Sequence, residues 1–270
     1  MKPASRLALT LLLVVVSGCS AVRKISTGGR PTVMPTVEQI QAALDQRRQV
    51  VHSMRALGRL EYRHPEATNV SKEAIVVERP DRLRVEVLSL FGSMFVLTSR
   101  DGAFTVYARS EDKIYRGVAS PKNMWRYARI GLPVIDLVDL VLGTPPQREA
   151  TWSHVTWDSE TGWIQLSQDV EGGAMVLWLE DTLPRAAELR DTYGEVQWRA
   201  MFGKYQQHGD IRIATRIRLE VPDRDHSVKI ELDDIDVNPT LEENTFSFVA
   251  PEGTEVIDLD EDRDHRTRSR

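Results

Sequence analysis

The sequence of 270 residues has almost no cysteine. Its single cysteine, Cys19, excludes a disulfide bond within the chain, although an oxidising compartment would permit one. Cys19 stands directly behind an apolar run, in the stretch Val16–Cys19 (VSGC). A lone cysteine at this place indicates a role other than crosslinking.

The sequence also lacks a surplus of basic residues. It has 35 Lys and Arg against 40 Asp and Glu, a formal net charge of -5 at pH 7. Binding to nucleic acid needs clustered basic side chains that neutralise phosphates, so we expect no nucleic-acid partner. After the first residues, no stretch approaches the roughly 18 consecutive apolar residues of a membrane span.

Motifs that carry catalysis are missing. The sequence contains no G-x-S-x-G, no H-E-x-x-H and no phosphate-binding glycine loop. Six histidines are scattered at positions 52, 64, 154, 208, 226 and 265, and no two have the spacing of metal ligands. The acidic stretch Asp233–Asp236 is typical of solvated strand ends. We therefore expect no enzymatic activity, no metal and no cofactor.

The first residues have the pattern of a secretory signal. Lys2 and Arg6 form a positive region, and the apolar run Leu7–Val16 is too short to span a membrane as a mature helix. Small residues follow, so we predict a signal peptide over residues 1–18.

The stretch Val16–Cys19 resembles the bacterial lipobox, in which cleavage leaves the cysteine as a lipidated N-terminus. Two or three long acyl chains anchor stably, at about 0.8 kcal/mol for each buried methylene. Ser20, rather than Asp, then implies anchoring in the outer membrane, facing the periplasm. The alternative is a chance or buried cysteine that packs as a small hydrophobe.

Composition divides the mature chain into three parts. Residues 19–35 contain two glycines and two prolines and little periodicity, and they are predicted to be a lipidated tether. Residues 36–257 carry the periodic apolar patterns of one folded domain. Residues 258–270 are rich in acids and arginines and are predicted to be disordered.

Periodicity within this domain predicts mainly strands with three helices. A capping box at Thr36 and Gln39 begins a helix that reaches about Met54, and an antiparallel meander follows from about residue 56. Strands resume at residue 151, and a change of parity predicts a β-bulge near Asp233 and Asp234.

Two short helices interrupt the strands. Ser120 precedes Pro121 as an N-cap, and Gly131 is predicted to end this helix. The second helix, from Pro133 through Leu142, is apolar almost all round and is therefore expected to be buried. The predicted fold class is mainly β with helices (α+β). A curved antiparallel sheet is covered by the N-terminal helix and this two-helix insertion.

One predicted turn is unusually apolar. Leu90, Phe91 and Gly92 join two alternating strands where a polar turn is the norm. The side chains either tuck under the sheet edge or form an exposed loop that touches a membrane or an acyl chain.

Four features together resemble the LolA/LolB family of bacterial lipoprotein carriers, and its LolB-like branch most, over roughly residues 50–257. They are the lipobox with Ser20, the apolar turn at Leu90, the stretch Gly131–Pro133 followed by LGTP from Leu142, and the closing pattern VNP…FSF…PEG from Val237.

This resemblance implies a fold, a function and partners. The fold would be an incomplete β-barrel with helices over its open side and an apolar cavity for lipoprotein acyl chains. The protein would receive lipoproteins from a soluble periplasmic carrier and insert them into the outer-membrane bilayer. Leu90 or Phe91 would match the protruding loop residue, and the helix from Pro133 would be a lid held by apolar contacts alone.

Several residues of the insertion are candidates for the cavity or its lid. They are Trp125, Leu132, Pro133, Ile135, Leu137 and Val138. For the tryptophan, ordinary core packing is the competing interpretation. For the whole protein, the alternative is a structural or interaction lipoprotein of the envelope, such as an assembly-complex or sensor component, without cargo transfer.

Overall fold

A computed structural model describes residues 32–90, 92–249 and 251–260. These residues form three α-helices: α1 (Val37–Val50), α2 (Pro121–Ala128) and α3 (Val134–Val141). They also form fourteen strands: β1 (Ser53–His64), β2 (Ala67–Glu78), β3 (Arg82–Ser89), β4 (Gly92–Arg100), β5 (Ala103–Ala108), β6 (Lys113–Val118), β7 (Ser153–Asp158), β8 (Trp163–Val170), β9 (Gly173–Glu180), β10 (Leu183–Asp191), β11 (Val196–His208), β12 (Ile211–Val221), β13 (His226–Val237) and β14 (Glu255–Asp258). The signal peptide, Cys19, Phe91 and residues 261–270 lie outside the described residues.

All fourteen strands belong to one sheet, in the order β14-β6-β5-β4-β3-β2-β1-β13-β12-β11-β10-β9-β8-β7. Neighbours are antiparallel except β14 and β6, which run parallel. One core cluster unites Ile75 of β2 and Leu177 of β9 with all three helices, so the sheet curves around them. The predicted α+β fold, with helices over a curved and open antiparallel sheet, is confirmed.

The N-terminal helix begins where its capping box predicts. The Gln39 backbone N–H donates to Thr36 Oγ1 over 3.3 Å, and the Thr36 backbone N–H donates to Gln39 Oε1 over 2.9 Å. Ile40 and Leu44 bury the apolar stripe of α1. The helix ends at Val50, and Met54 lies in β1, so the prediction of a helix to Met54 was wrong by about one turn.

The insertion also begins at its predicted cap. Ser120 Oγ accepts from the Asn123 backbone N–H, and Pro121 occupies the first turn of α2. The helix ends at Ala128, where Arg129 takes a left-handed φ of 58°, rather than at Gly131. The next helix, α3, is almost wholly buried, as its composition predicts.

In the second half of the chain, the structure confirms one predicted feature and adds two strands that were not predicted. The register of β1 against β13 shifts between Asp233 and Asp236, which confirms the β-bulge. The sequence interpretation missed β11, the long strand between β10 and β12. It also missed β14, which continues to Asp258 and pairs with β6. Asp258 is the first residue of the predicted charged tail.

Candidate functional site

An apolar cavity of about 400 Å³ lies between the sheet and the insertion. Strands β1 to β4, β12 and β13 form its wall, and α2 and α3 form its cover. The wall includes Leu60, Ile75, Val85, Leu97, Ile217 and Ile230. The cover includes Met124, Ala128, Leu137 and Val141. The volume lies within the range of about 300–1,000 Å³ of small-molecule pockets.

Exposure rises along this cavity toward one end. Leu83 and Leu97, on neighbouring strands, are 5% and 2% exposed. Further along the same two strands, Val87 and Phe95 are paired across the ladder and half-buried. The cavity therefore has a closed inner end and a mouth beside the hairpin of β3 and β4.

The hairpin that borders the mouth has an apolar tip. Ser89 and Gly92 form its last pair, and Leu90 in the turn is 98% exposed. Met94 is also exposed, at 41%. At about 3.3 Å per strand residue, Leu90 lies within about 10 Å of Val87 in the cavity wall. An exposed apolar side chain thus stands beside the mouth of an apolar cavity.

Four of the described residues that line the cavity are polar: Tyr62, Glu73, Tyr127 and Arg129. Glu73 is 4% exposed, and its Oε1 accepts a hydrogen bond of 2.8 Å from the Ser71 hydroxyl. Glu73 Oε2 and the Tyr127 hydroxyl are buried without a hydrogen-bond partner among the described residues. Burial raises the pKa of the Glu73 carboxyl, although the hydrogen bond from Ser71 opposes that shift.

The cover of the cavity is held by buried charges. Asp139 of α3 is 1% exposed and forms ion pairs with Arg48 of α1 and with Arg79. Arg79 also donates to Thr144 Oγ1 over 2.8 Å. Burial, followed by the charges of Arg48 and Arg47, lowers the pKa of Arg79 to about 9. Two partly buried guanidinium groups therefore converge on one buried carboxylate.

A second ion pair holds the same helix. Arg148 donates two hydrogen bonds, of 2.8 and 2.6 Å, to the carboxylate of Asp136, which is 2% exposed. Together with Asp139, this pair ties both acidic residues of α3 to other parts of the chain. The prediction of a lid held by apolar contacts alone was wrong, because Asp139 pairs with Arg48, 91 positions away, and Asp136 pairs with Arg148, 12 positions away.

Three of the predicted lid residues, Trp125, Leu132 and Pro133, line a second cavity of about 520 Å³. The guanidinium carbon of Arg224 lies 4.3 Å from the centre of the Trp125 ring, a cation–π contact. Leu137 instead lines the apolar cavity. Val138 is fully buried in the core, and Ile135 is 46% exposed. The structure thus divides the six candidates among several surroundings.

Sequence reasoning missed the most unusual residue of the cavity. Glu73 stands two residues before Ile75 and four before Val77, so it shares their face of β2. A carboxylate on the apolar face of a strand is the feature of the sequence that indicates this residue. Most wall residues were assigned to strands without a role, since a strand pattern does not show which opposing side chains leave a gap.

No described helix is long and apolar enough to cross a membrane. Within the described residues, no group of three or more His, Cys, Asp or Glu side chains is placed to hold a metal ion.

Comparison with known proteins gives no match at the level of sequence. No protein-family model matches the chain, and no curated protein matches it.

Solved structures, in contrast, share its fold. A DUF1329 family protein from Desulfovibrio piger superposes with a TM-score of 0.59 at 13% identity, over 78% of this chain and 96% of that one. A LolA superfamily protein from Nitrosomonas europaea gives 0.56 at 11% identity, over 77% and 97% of the two chains. A putative outer membrane lipoprotein-sorting protein domain from Vibrio parahaemolyticus gives 0.53 at 14% identity, over 78% and 97%.

These likenesses confirm the predicted resemblance at the level of the fold, while the LolB-like branch stays a prediction. The chain has the LolA-like fold, an open antiparallel sheet curved around helices.

Proposed function

We propose that this chain is an envelope lipoprotein that binds acyl chains in the apolar cavity. In the full proposal it is anchored in the outer membrane through Cys19, receives lipoproteins from a soluble periplasmic carrier and inserts them into the outer membrane. The observation that carries the proposal is the apolar cavity with its mouth beside the exposed tip at Leu90.

The cavity suits an acyl chain in lining and in size. Twenty described residues line it, and sixteen of them are aliphatic, Met, Ala or Phe. Each methylene that moves from water into such surroundings contributes about 0.8 kcal/mol. Transfer between carriers requires no bond chemistry, only a cavity of comparable or greater affinity.

The hairpin tip suits delivery to a membrane. The Leu90 side chain contributes little to the stability of the folded domain, because almost all of it is in solvent. Burying a leucine side chain in an apolar phase contributes about 1.5–3 kcal/mol. Contact between Leu90 and the bilayer would bring the mouth of the cavity to the membrane surface, where an acyl chain can leave.

Similarity to solved structures also supports the proposal of acyl-chain binding. One structure with this fold is described as an outer membrane lipoprotein-sorting domain and another as a LolA superfamily protein. Because α3 is held by ion pairs, we propose that acyl chains enter at the mouth near Val87 and Phe95 rather than by displacement of α3.

A fluorescent acyl probe tests binding directly. The chain from Ser20 onward keeps every described residue, and we expect it to take up one probe per molecule. Ala128→Phe places a ring into the cavity and should weaken uptake by at least tenfold. Ala103→Phe, at an exposed position of β5, is the matched control and should leave uptake unchanged.

Equal uptake by the two variants would place the probe elsewhere and contradict the proposal. Absence of uptake by the unsubstituted chain would favour the alternative, an interaction lipoprotein of the envelope with the same fold.

A further inference from the structure

Glu73 is a buried acid in the wall of the apolar cavity, and one of its two carboxyl oxygens lacks a partner among the described residues. The Ser71 hydroxyl donates to Oε1 over 2.8 Å, whereas Oε2 has no partner among the described residues. Its cross-strand neighbours are Gly58 on β1 and Val87 on β3, and neither has a polar side chain. The fold therefore supplies Glu73 with no partner from either adjacent strand.

Such an arrangement costs stability and is uncommon in native proteins. Buried polar side chains are nearly always hydrogen-bonded, because a polar group that leaves water without finding a partner in the protein loses the hydrogen bond it made to water. Glu73 lies where a ligand-sized cavity is available beside it. The terminal torsion of a glutamate side chain is broad, so its carboxyl group can turn toward a ligand in that cavity.

The place of Glu73 along the cavity indicates which part of a ligand it meets. Leu83 and Leu97 mark the closed inner end, whereas Glu73 pairs with Val87 near the mouth. An acyl chain that enters tail first fills the inner end with methylenes. Its polar linkage then lies near the mouth, beside Glu73.

The chemistry of a buried carboxyl group selects the linkage. Burial raises the pKa of the Glu73 carboxyl, so the neutral acid, which has one O–H donor, persists to a higher pH than for an exposed glutamate. The carbonyl oxygen of an ester or amide accepts a hydrogen bond well, whereas an alkyl ether oxygen accepts one weakly. A donor at this place therefore distinguishes acyl chains from alkyl chains of the same length.

We propose that Glu73 is a specificity-determining residue whose carboxyl group, when neutral, donates a hydrogen bond to the carbonyl oxygen of the bound acyl linkage. The cavity then prefers ester- or amide-linked chains over ether-linked chains of equal length. This inference rests on the proposed acyl binding and adds to it the linkage that the site takes.

Paired photoactivatable probes test this preference on the complete chain, held in discs of an ether-linked phospholipid at about pH 4, where the raised pKa of Glu73 leaves its carboxyl neutral. One probe is a hexadecanoyl glycerol ester and the other the matching hexadecyl glycerol ether, each with a diazirine in its tail. Competition between them, with crosslinks mapped to the α3 peptide that contains Leu137 and Val141, gives their relative affinity for the cavity.

For the unsubstituted chain, we expect the ester to bind about 3- to 10-fold more tightly than the ether, the value of one neutral hydrogen bond. Glu73→Gln keeps an N–H donor and should keep the preference. Glu73→Met should reduce the ratio to about one, without weakening the ether. Glu86→Met, on the other face of the sheet, is the matched control and should keep the preference.

Two results separate the failure of this inference from that of the proposed function. Equal crosslinking of ester and ether in the unsubstituted chain would overturn the role of Glu73 while leaving acyl binding intact. Absence of both crosslinks would contradict acyl binding itself, and with it the role of Glu73. The ratio for the unsubstituted chain decides the matter even if Glu73→Met fails to fold.

Discussion

Arg48 of α1 and Asp139 of α3 are joined by an ion pair in which Nη2 lies 2.9 and 2.7 Å from the two carboxylate oxygens. The two residues are 91 positions apart in the chain. Their contact fixes the N-terminal helix against the helix that covers the apolar cavity. The cover is therefore a stable part of the domain rather than a loosely packed helix.

Removal of the Asp139 charge should destabilise the domain strongly. Asp139→Asn leaves the partly buried guanidinium groups of Arg48 and Arg79 without a counter-charge, and we expect a loss of about 3 kcal/mol in the free energy of unfolding, the lower end of the range for a broken buried pair. Urea denaturation followed by tryptophan fluorescence measures this loss. The exposed pair of Arg55 and Asp236 is the control, and Asp236→Asn should cost at most about 1 kcal/mol.

Losses of equal size for the two substitutions would show that the buried pair does not hold the cover. In that case, α3 regains the freedom of a movable lid.

Substitution of the hairpin tip should affect membranes and leave the fold unchanged. Leu90→Ser is expected to change the free energy of unfolding by no more than about 0.5 kcal/mol, because the side chain is exposed. Binding of the unlipidated chain to lipid vesicles should weaken by about tenfold, as expected for one leucine removed from an apolar phase. Sedimentation with vesicles measures this change.

Val118→Ser supplies the control for the hairpin tip, since Val118 is also exposed, at 55%, but lies at the end of β6. If both variants lose vesicle binding equally, the contact is a general apolar effect rather than a property of the tip.

Ionisation of Glu73 should reduce the free energy of unfolding as the pH rises. Burial raises the pKa of its carboxyl in the folded state, so the unfolded chain releases the proton first. Stability from this group is therefore full below the unfolded pKa of about 4.3 and falls as the pH rises toward the folded pKa. Glu73→Gln should remove this decline and unfold at higher urea concentration than the unsubstituted chain at pH 7. A lower midpoint would mean that the carboxylate is paired.

Glu231 should act in the opposite direction. Hydrogen bonds from Arg216 and then from Lys229 lower the pKa of its carboxyl to about 2. Its contribution to stability is therefore present above the unfolded pKa of about 4.3 and is lost as the pH falls toward 2. Urea midpoints between pH 5 and pH 2.5 should fall less steeply in Glu231→Gln than in the unsubstituted chain. The same slope in both would show that the cluster with Arg216 contributes nothing.

Local sequence patterns predicted most of the fold, because helix caps and the alternation of strands depend on residues that are close in the sequence. Thr36 and Ser120 cap helices through bonds to residues three positions later, and alternation placed most strands. The pattern failed for β11, where Met201 on the outer face and Gly203 weaken the alternation. It failed again for β14, whose parallel partner β6 is distant in the sequence.

The site was less predictable because it depends on distant contacts. The apolar composition of α3 correctly indicated burial, but the sequence did not show that Arg48 and Arg148 reach its two acids. Leu137 was assigned from the resemblance, whereas the wall opposite it comes from six strands. A gap between opposing side chains is a property of packing, and a linear pattern does not encode it.

Mass spectrometry of lipids that co-purify with the unlipidated chain tests acyl binding in the cavity most directly. The account predicts about one acyl lipid per protein molecule, reduced at least tenfold in Ala128→Phe and unchanged in Ala103→Phe. A chain that carries no lipid, or equal lipid in all three proteins, would contradict the account.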